Sequence, residues 1–210
     1  MPAVLKENLV AHLKSGKIPW DPYPILSVTG EKIGELCLIT DHVASDHGTV
    51  EMLCKWRRKH KEHFLTVFNA SLDSTKNYLQ TIYLTDECRI LFLLKENDRF
   101  IGNYGLANIA KEFAEIDNVI RSESIQNKSF MHQAQLALIR WASDTLGIKN
   151  FYLHVLSENT RAIRHYERVG FRAVSSTPLR REDFDGGYRL IPDLEAPHSK
   201  QNLTRMELSI

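Results

Sequence analysis

Three titratable side chains lie on two apolar segments of the chain. Glu115 and Asp117 belong to residues 114–121, an alternating stretch that reads as a strand, and His154 belongs to residues 151–156, which reads as another. Alternation places Glu115, Asp117 and Val119 on one face of the first strand and Ile116, Asn118 and Ile120 on the other. Carboxylates and an imidazole so placed are candidate proton acceptors, the imidazole because it titrates near neutral pH. Spacing alone does not choose among the three. Between the two strands lie a polar loop, residues 122–129, and a helical pattern over residues 130–146. A loop leading into a helix N-terminus supplies converging N–H groups and a favourable dipole, the means of holding a phosphate. A second helix, residues 160–169, follows the second strand, with Asn159 placed to cap it and Gly170 to close it.

These residues must be positioned by a chain of 210 residues, the size of one domain with a sizeable core. The expected organisation is a single domain, with residues 1–48 as an N-terminal extension and residues 114–171 as the ligand-holding core. A formal net charge of +1 gives no reason to expect a nucleic-acid partner. Cys37, Cys54 and Cys88 are widely spaced with no C-x-x-C pair, which fits reduced thiols in the cytoplasm. The nine histidines include no H-E-x-x-H or comparable spacing, so no metal is expected. No apolar run approaches the length of a membrane span, and no membrane partner is expected.

Along the chain, Leu5, Leu9 and Leu13 have helical spacing, and Pro19, Pro22 and Pro24 then keep the backbone extended. Residues 25–39 read as a β-hairpin turning at Gly30, and residues 41–48 as a polar connection. A helix is expected from about Thr49, with Met52, Leu53 and Trp56 at core spacing and a basic far end running from Lys55 to His63. Another, capped by Ser71 or Asp73, carries Tyr78, Leu79, Ile82 and Tyr83. Residues 89–94 form an apolar strand, joined through Glu96-Asn97-Asp98 to a second over residues 100–106. Short strands close the chain near residues 171–174, 188–191 and 206–210.

The run Asn159-Thr160-Arg161-Ala162-Ile163-Arg164-His165-Tyr166-Glu167-Arg168-Val169-Gly170-Phe171 resembles the N-x-x-A-I-x-x-Y-E-x-x-G-F signature of the GNAT acyl-CoA N-acetyltransferases. With the strand, loop and helix before it, the resemblance covers about a third of the chain. It implies an α/β (α+β) GNAT fold, a mixed central β-sheet flanked by helices, here with an extra N-terminal helix and β-hairpin. It implies acetyl-CoA as the cofactor. Val119, Ile120 and Arg121 would lend backbone groups to the pantetheine arm as to an added strand. The pyrophosphate would sit on Gln126-Asn127-Lys128-Ser129-Phe130-Met131, aligned with the family's Q/R-x-x-G-x-G/A. Gln126 matches, whereas Ser129 and Met131 stand where small residues or glycine are usual. Lys128 is either a mobile phosphate-binding charge or a solvated lysine, and Ser129 is placed to cap the helix. Asn159 matches a cofactor-contacting asparagine, and Arg161 is in reach of phosphates or adenosine or else simply exposed. Tyr166 matches the tyrosine that protonates the departing thiolate.

Most charge runs are solvated faces. The functional reading of this one is an anionic acceptor, such as a nucleotide-linked sugar whose diphosphate pairs with Arg57, Arg58 or Lys61. Trp56-Arg57-Arg58, Phe64 with Phe68, Leu91-Phe92 and residues 101–106 resemble the GNAT branch holding amino-sugar and ribosomal-protein N-terminal acetyltransferases. The resulting expectation is a cytoplasmic enzyme moving an acetyl group directly to the primary amine of a small molecule, first of all a nucleotide-linked amino sugar. Protein N-termini and other small amines are the alternative acceptors. A catalytically silent acyl-CoA-binding module is the alternative of another class. The N-terminal hairpin offers a surface for a homodimer.

Overall fold

A computed structural model describes residues 3–195 and 201–210. Helix α1 (Ala3–Lys14) opens the chain, and the side chain of Leu5 lies outside the described residues. The hairpin β1 (Tyr23–Leu26) and β2 (Lys32–Leu38) follows, with Gly30 at φ 85° in its turn. The expected polar connection contains a short helix, α2 (Asp41–Ser45), capped by Thr40. Asp46 then caps α3 (His47–Lys59), its Oδ2 accepting from Thr49 N at 2.7 Å and Thr49 Oγ1 at 2.9 Å. A 3₁₀ turn (Lys61–His63) leads to β3 (Thr66–Phe68), a strand too short to show in the sequence pattern. Helix α4 (Leu72–Asn77) is capped by Ser71 and runs on as a π-helical segment (Tyr78–Tyr83).

The sheet centre is a hairpin of β4 (Ile90–Glu96) and β5 (Arg99–Ala110), turned by Asn97 and Asp98 with φ of 46° and 61°. Two successive positive φ angles make the type I′ geometry that suits the strand twist. Then come β6 (Phe113–Arg121), α5 (Phe130–Leu146), β7 (Asn150–Leu156), α6 (Thr160–Val169), β8 (Arg172–Phe184), β9 (Gly187–Pro192) and β10 (Asn202–Ser209). The ten strands form one mixed sheet in the order β1-β2-β4-β5-β6-β7-β10-β8-β9-β3, antiparallel except for the β6–β7 pair.

Each sheet face is covered. Ile90, Phe92 and Leu94 of β4 face a core shared with α1, α5 and α6, while Leu91 and Leu93 face a second core under α3 and the π-helical segment. Phe130, the first residue of α5, is fully buried and seated over Gly34, where a Cβ would overlap its ring. Burying such a ring contributes about 1.5–3 kcal/mol, and it fixes the end of α5 that points at the cleft described next.

Candidate functional site

Strands β6 and β7 pair only at Phe113↔Asn150, Ala114↔Phe151 and Glu115↔Tyr152. Beyond Glu115 they are no longer paired, although β6 runs on to Arg121 and β7 to Leu156. The cause is a bulge in β6. Gly105 pairs with Asp117 and Asn103 with Ile120, so two residues, Asn118 and Val119, oppose Tyr104 alone, and Asn118 takes a φ of 50°. Gly102 helps the bend, since a Cβ there would overlap Ile120 O. The bulge also corrects the simple alternation: Ala114 and Ile116 face the α5 core, Val119 packs on that same core, and Ile120 turns to the other one. Val119 is therefore not on the face of Glu115 and Asp117.

The fork opens a cleft of about 1010 Å³ that reaches both faces of the sheet. Tyr166 of α6 lines it from the α5 side and is only 7% exposed. Burial, helped by the nearby Asp117 charge, raises the phenol's pKa well above its ordinary value and keeps it protonated. Glu115, Asp117 and His154 also line the cleft. His154 Nδ1 lies 2.7 Å from Glu115 Oε1, and Asn108 donates to Glu115 Oε2 at 2.7 Å. A carboxylate acceptor fixes the imidazole proton on Nδ1 and leaves Nε2 as a proton acceptor. Asp117 is differently engaged: Oδ2 accepts from Arg89 Nη1 and from Asn118 Nδ2, the latter at 3.0 Å. Asn118 in turn donates to Tyr78 Oη at 3.1 Å, so the π-helical segment touches the site.

The loop before α5 departs from expectation. The buried carboxylate of Glu96, 5% exposed, accepts from the backbone N–H groups of Gln126 and Asn127 at 2.9 Å each. Asn97 donates to Gln126 Oε1 at 2.9 Å. Phe130 N is bonded to Asn127 O, and its ring belongs to the core. Ser129 does not cap α5: its N–H and hydroxyl both donate to Asn127 Oδ1. Phe130 is buried, Asn127 is half-buried and Gln126 is exposed, and none of the three lines the cleft, whereas Lys128, Ser129, Met131 and the unanticipated His132 do. The first-turn amides of Met131 and His132 are donors a helix N-terminus leaves for a ligand. Asn159 caps α6 through Ala162 N at 3.2 Å and lines the cleft as well, as do Arg121 and Arg161.

Of the basic run, only Arg57 lines this cleft with the two histidines His60 and His63. Arg58 donates to Ala70 O and borders a separate groove, and Lys61 Nζ donates to Asn69 Oδ1 at 2.8 Å. The structure does not bring Arg57, Arg58 and Lys61 together. Reading α3 as an amphipathic helix carries no signal for this, because the partners that draw Arg58 and Lys61 away belong to residues 69–70.

A split mixed sheet, a helix N-terminus at the mouth of the split, and a buried tyrosine and a histidine–carboxylate pair lining one cleft fit an acyl-CoA acyltransferase site. The family model of the acetyltransferase (GNAT) domain matches residues 38–172, and the chain belongs to that family. The enzyme is an N-acetyltransferase that uses acetyl-CoA. Among solved structures, it resembles the spermidine N-acetyltransferase of Vibrio cholerae in complex with CoA and spermine, with TM-score 0.61, 20% identity and coverage of 78% of this chain and 91% of that one. The ribosomal L7/L12 α-N-protein acetyltransferase RimL in complex with CoA gives TM-score 0.64 at 17% identity, covering 90% and 98%. A probable GNAT acetyltransferase from Chromobacterium violaceum gives 0.62 at 17%, covering 91% of each chain. No curated protein sequence matches significantly. At these identities the structures establish the fold. No described helix is long and apolar enough to cross a membrane.

Proposed function

We propose that the chain is a single-domain cytoplasmic enzyme that transfers acetyl directly to a primary amine on a neutral or anionic small molecule, a nucleotide-linked amino sugar being the first-choice acceptor. The observation that carries the direct route is the fork between β6 and β7. It connects the sheet face bearing Tyr166 with the face bearing Glu115, Asp117 and His154. The residues present fit acetyl-CoA: the β6 edge beyond Glu115 is free of β7, and Lys128, Arg161 and the first turn of α5 supply positive charge and N–H donors at one end of the cleft.

When bound, acetyl-CoA supplies a thioester whose carbonyl is open to attack by an amine and whose sulfur leaves as a thiolate. Tyr166 holds the proton for that sulfur. His154, oriented by Glu115, takes the proton that the amine must lose, and Asp117, held by Arg89 and Asn118, shapes the acceptor side. Val119, Ile120 and Arg121 line the cleft, and their backbone would hold the pantetheine arm. The charge balance supports the acceptor class. Of the two carboxylates lining the cleft, Asp117 is paired with Arg89 and Glu115 is hydrogen-bonded to His154 and Asn108, while Arg57 lines the same cleft. That leaves Glu115 as the one of the two without a cationic partner among the described residues, too little negative charge to select a polycation.

The test is release of CoA thiol from acetyl-CoA with a panel of amines: glucosamine and its phosphates, UDP-linked amino sugars, spermidine and peptide N-termini. Amine-dependent, saturable release that is greatest for an amino sugar supports the reading. Greatest release with spermidine or a peptide overturns the acceptor class, and no amine-dependent release leaves an acyl-CoA-binding module.

A further inference from the structure

We propose that the wall of the cleft built by the end of α3 and the turn after it is a phosphate subsite for the acceptor, with Arg57 and His60 as its ligands and His63 beside them. The proposal rests on the acetyl-transfer reading of the same cleft and names what that reading leaves open: where the acceptor's anionic group goes.

Arg57 is held as a rigid plate. Its guanidinium lies 3.5 Å from the Phe64 ring centroid and 5.3 Å from that of Phe68, while Nη2 donates to Thr66 O at 2.7 Å. These contacts fix the side chain in advance, so little rotamer entropy remains to be lost on binding. They leave Nη1 shielded from solvent with no hydrogen-bond partner among the described residues. His60 Nε2 is in the same condition, and the His60 ring stacks on His63 with centroids 6.3 Å apart. Two dry, unpartnered nitrogens on cleft-lining residues one helical turn apart are costly, and an oxygen-rich anion offsets that cost by accepting from both.

Nearby carboxylates do not fill the role. Asp117 is paired with Arg89, Glu115 with His154 and Asn108, and Glu62 accepts from Tyr188 Oη at 3.3 Å. Both residues are partly desolvated. Burial lowers the Arg57 pKa to about 10, only partly opposed by Tyr78 and Asp117. Burial also lowers that of His60, with Lys59, His63, Arg121 and Arg161 adding to the effect. A phosphate has two chemical sources here, the acceptor and the cofactor, so the experiment must separate them.

That experiment is calorimetric titration of the full chain with UDP and with inorganic pyrophosphate, before and after saturation with CoA. Both probes are expected to bind the CoA-saturated protein, and Arg57→Gln and His60→Gln are each expected to weaken them by about tenfold to a hundredfold, the loss of a charge-assisted contact. Arg57→Lys, which keeps the charge but loses the planar fork, should fall between. Thermal unfolding of each variant confirms that it is folded. Failure of both probes to bind overturns the subsite. So does binding only in the absence of CoA, which assigns the phosphate to the cofactor's place, and so does binding that neither substitution changes. The two readings fail separately. Probe binding with the expected losses but no amine-dependent CoA release overturns acetyl transfer and leaves the subsite standing. Acetylation indifferent to a phosphate on the acceptor, as with glucosamine against glucosamine 6-phosphate, overturns the subsite and leaves acetyl transfer standing.

Discussion

His154 and His165 show how the same side chain is given opposite tasks by its surroundings. His154 keeps a nitrogen for the cleft because Glu115 holds the other. Replacing His154 with Gln should lower kcat/KM by about 10²–10⁴-fold; Glu115→Gln should reduce activity less. An unchanged kcat/KM in His154→Gln would exclude it as the base. His165 instead sits among Tyr104 Oη at 3.2 Å and Gln135 Oε1 at 2.6 Å, beneath a Gln135 that is fully buried. Burial lowers its pKa from 6.5 to about 4, with His132 and Arg168 contributing. The unfolded chain therefore binds this proton first, and the His165 contribution to stability is present above pH 6.5 and lost as pH falls towards 4. Thermal unfolding should show a steeper decline over that window in the wild type than in His165→Gln. Parallel curves would mean that the group titrates normally in the fold.

Among the elements, the loop before α5 changes most from its expected form. Its Ser129 and Met131 replace residues that would let phosphates approach the backbone closely, and the β4–β5 turn steadies it instead. Glu96 takes two amides and Asn97 takes Gln126. In Glu96→Gln one amide would meet an NH₂ group in place of an acceptor. The expected result is a rise in KM for acetyl-CoA of about tenfold, one charge-assisted bond's worth, with kcat little changed. A fall in kcat alone would contradict a positioning role. The clamp was not legible in the sequence because Glu96 and Gln126 are thirty positions apart, and neither residue type marks the contact. The motif at α6 was legible, because its cap Asn159, Tyr166 and terminal Gly170 are all specified within one helix. Alternation along β6 failed at Asn118, where a positive φ on a non-glycine residue shifts the face of every residue after it.

For the molecule as a whole, function depends on a deliberate failure of sheet pairing. Eight of the nine strand junctions are antiparallel, and the one parallel junction is abandoned after Glu115. The two helical layers bring different chemistry to that opening, the protonated Tyr166 from one and the Arg57 wall from the other. The layered α/β architecture followed from the order of apolar segments. The depth of the split, the short strand β3 and the separation of Arg57 from Arg58 and Lys61 did not, since each is decided by contacts distant in the chain. The most direct test of the account compares wild type and Tyr166→Phe for amine-dependent CoA release at saturating acetyl-CoA, with acetyl-CoA affinity measured alongside. Removing the phenolic proton should reduce kcat by about 10²–10⁴-fold while affinity is retained. Equal turnover in the two proteins would contradict the assignment of Tyr166 as the acid.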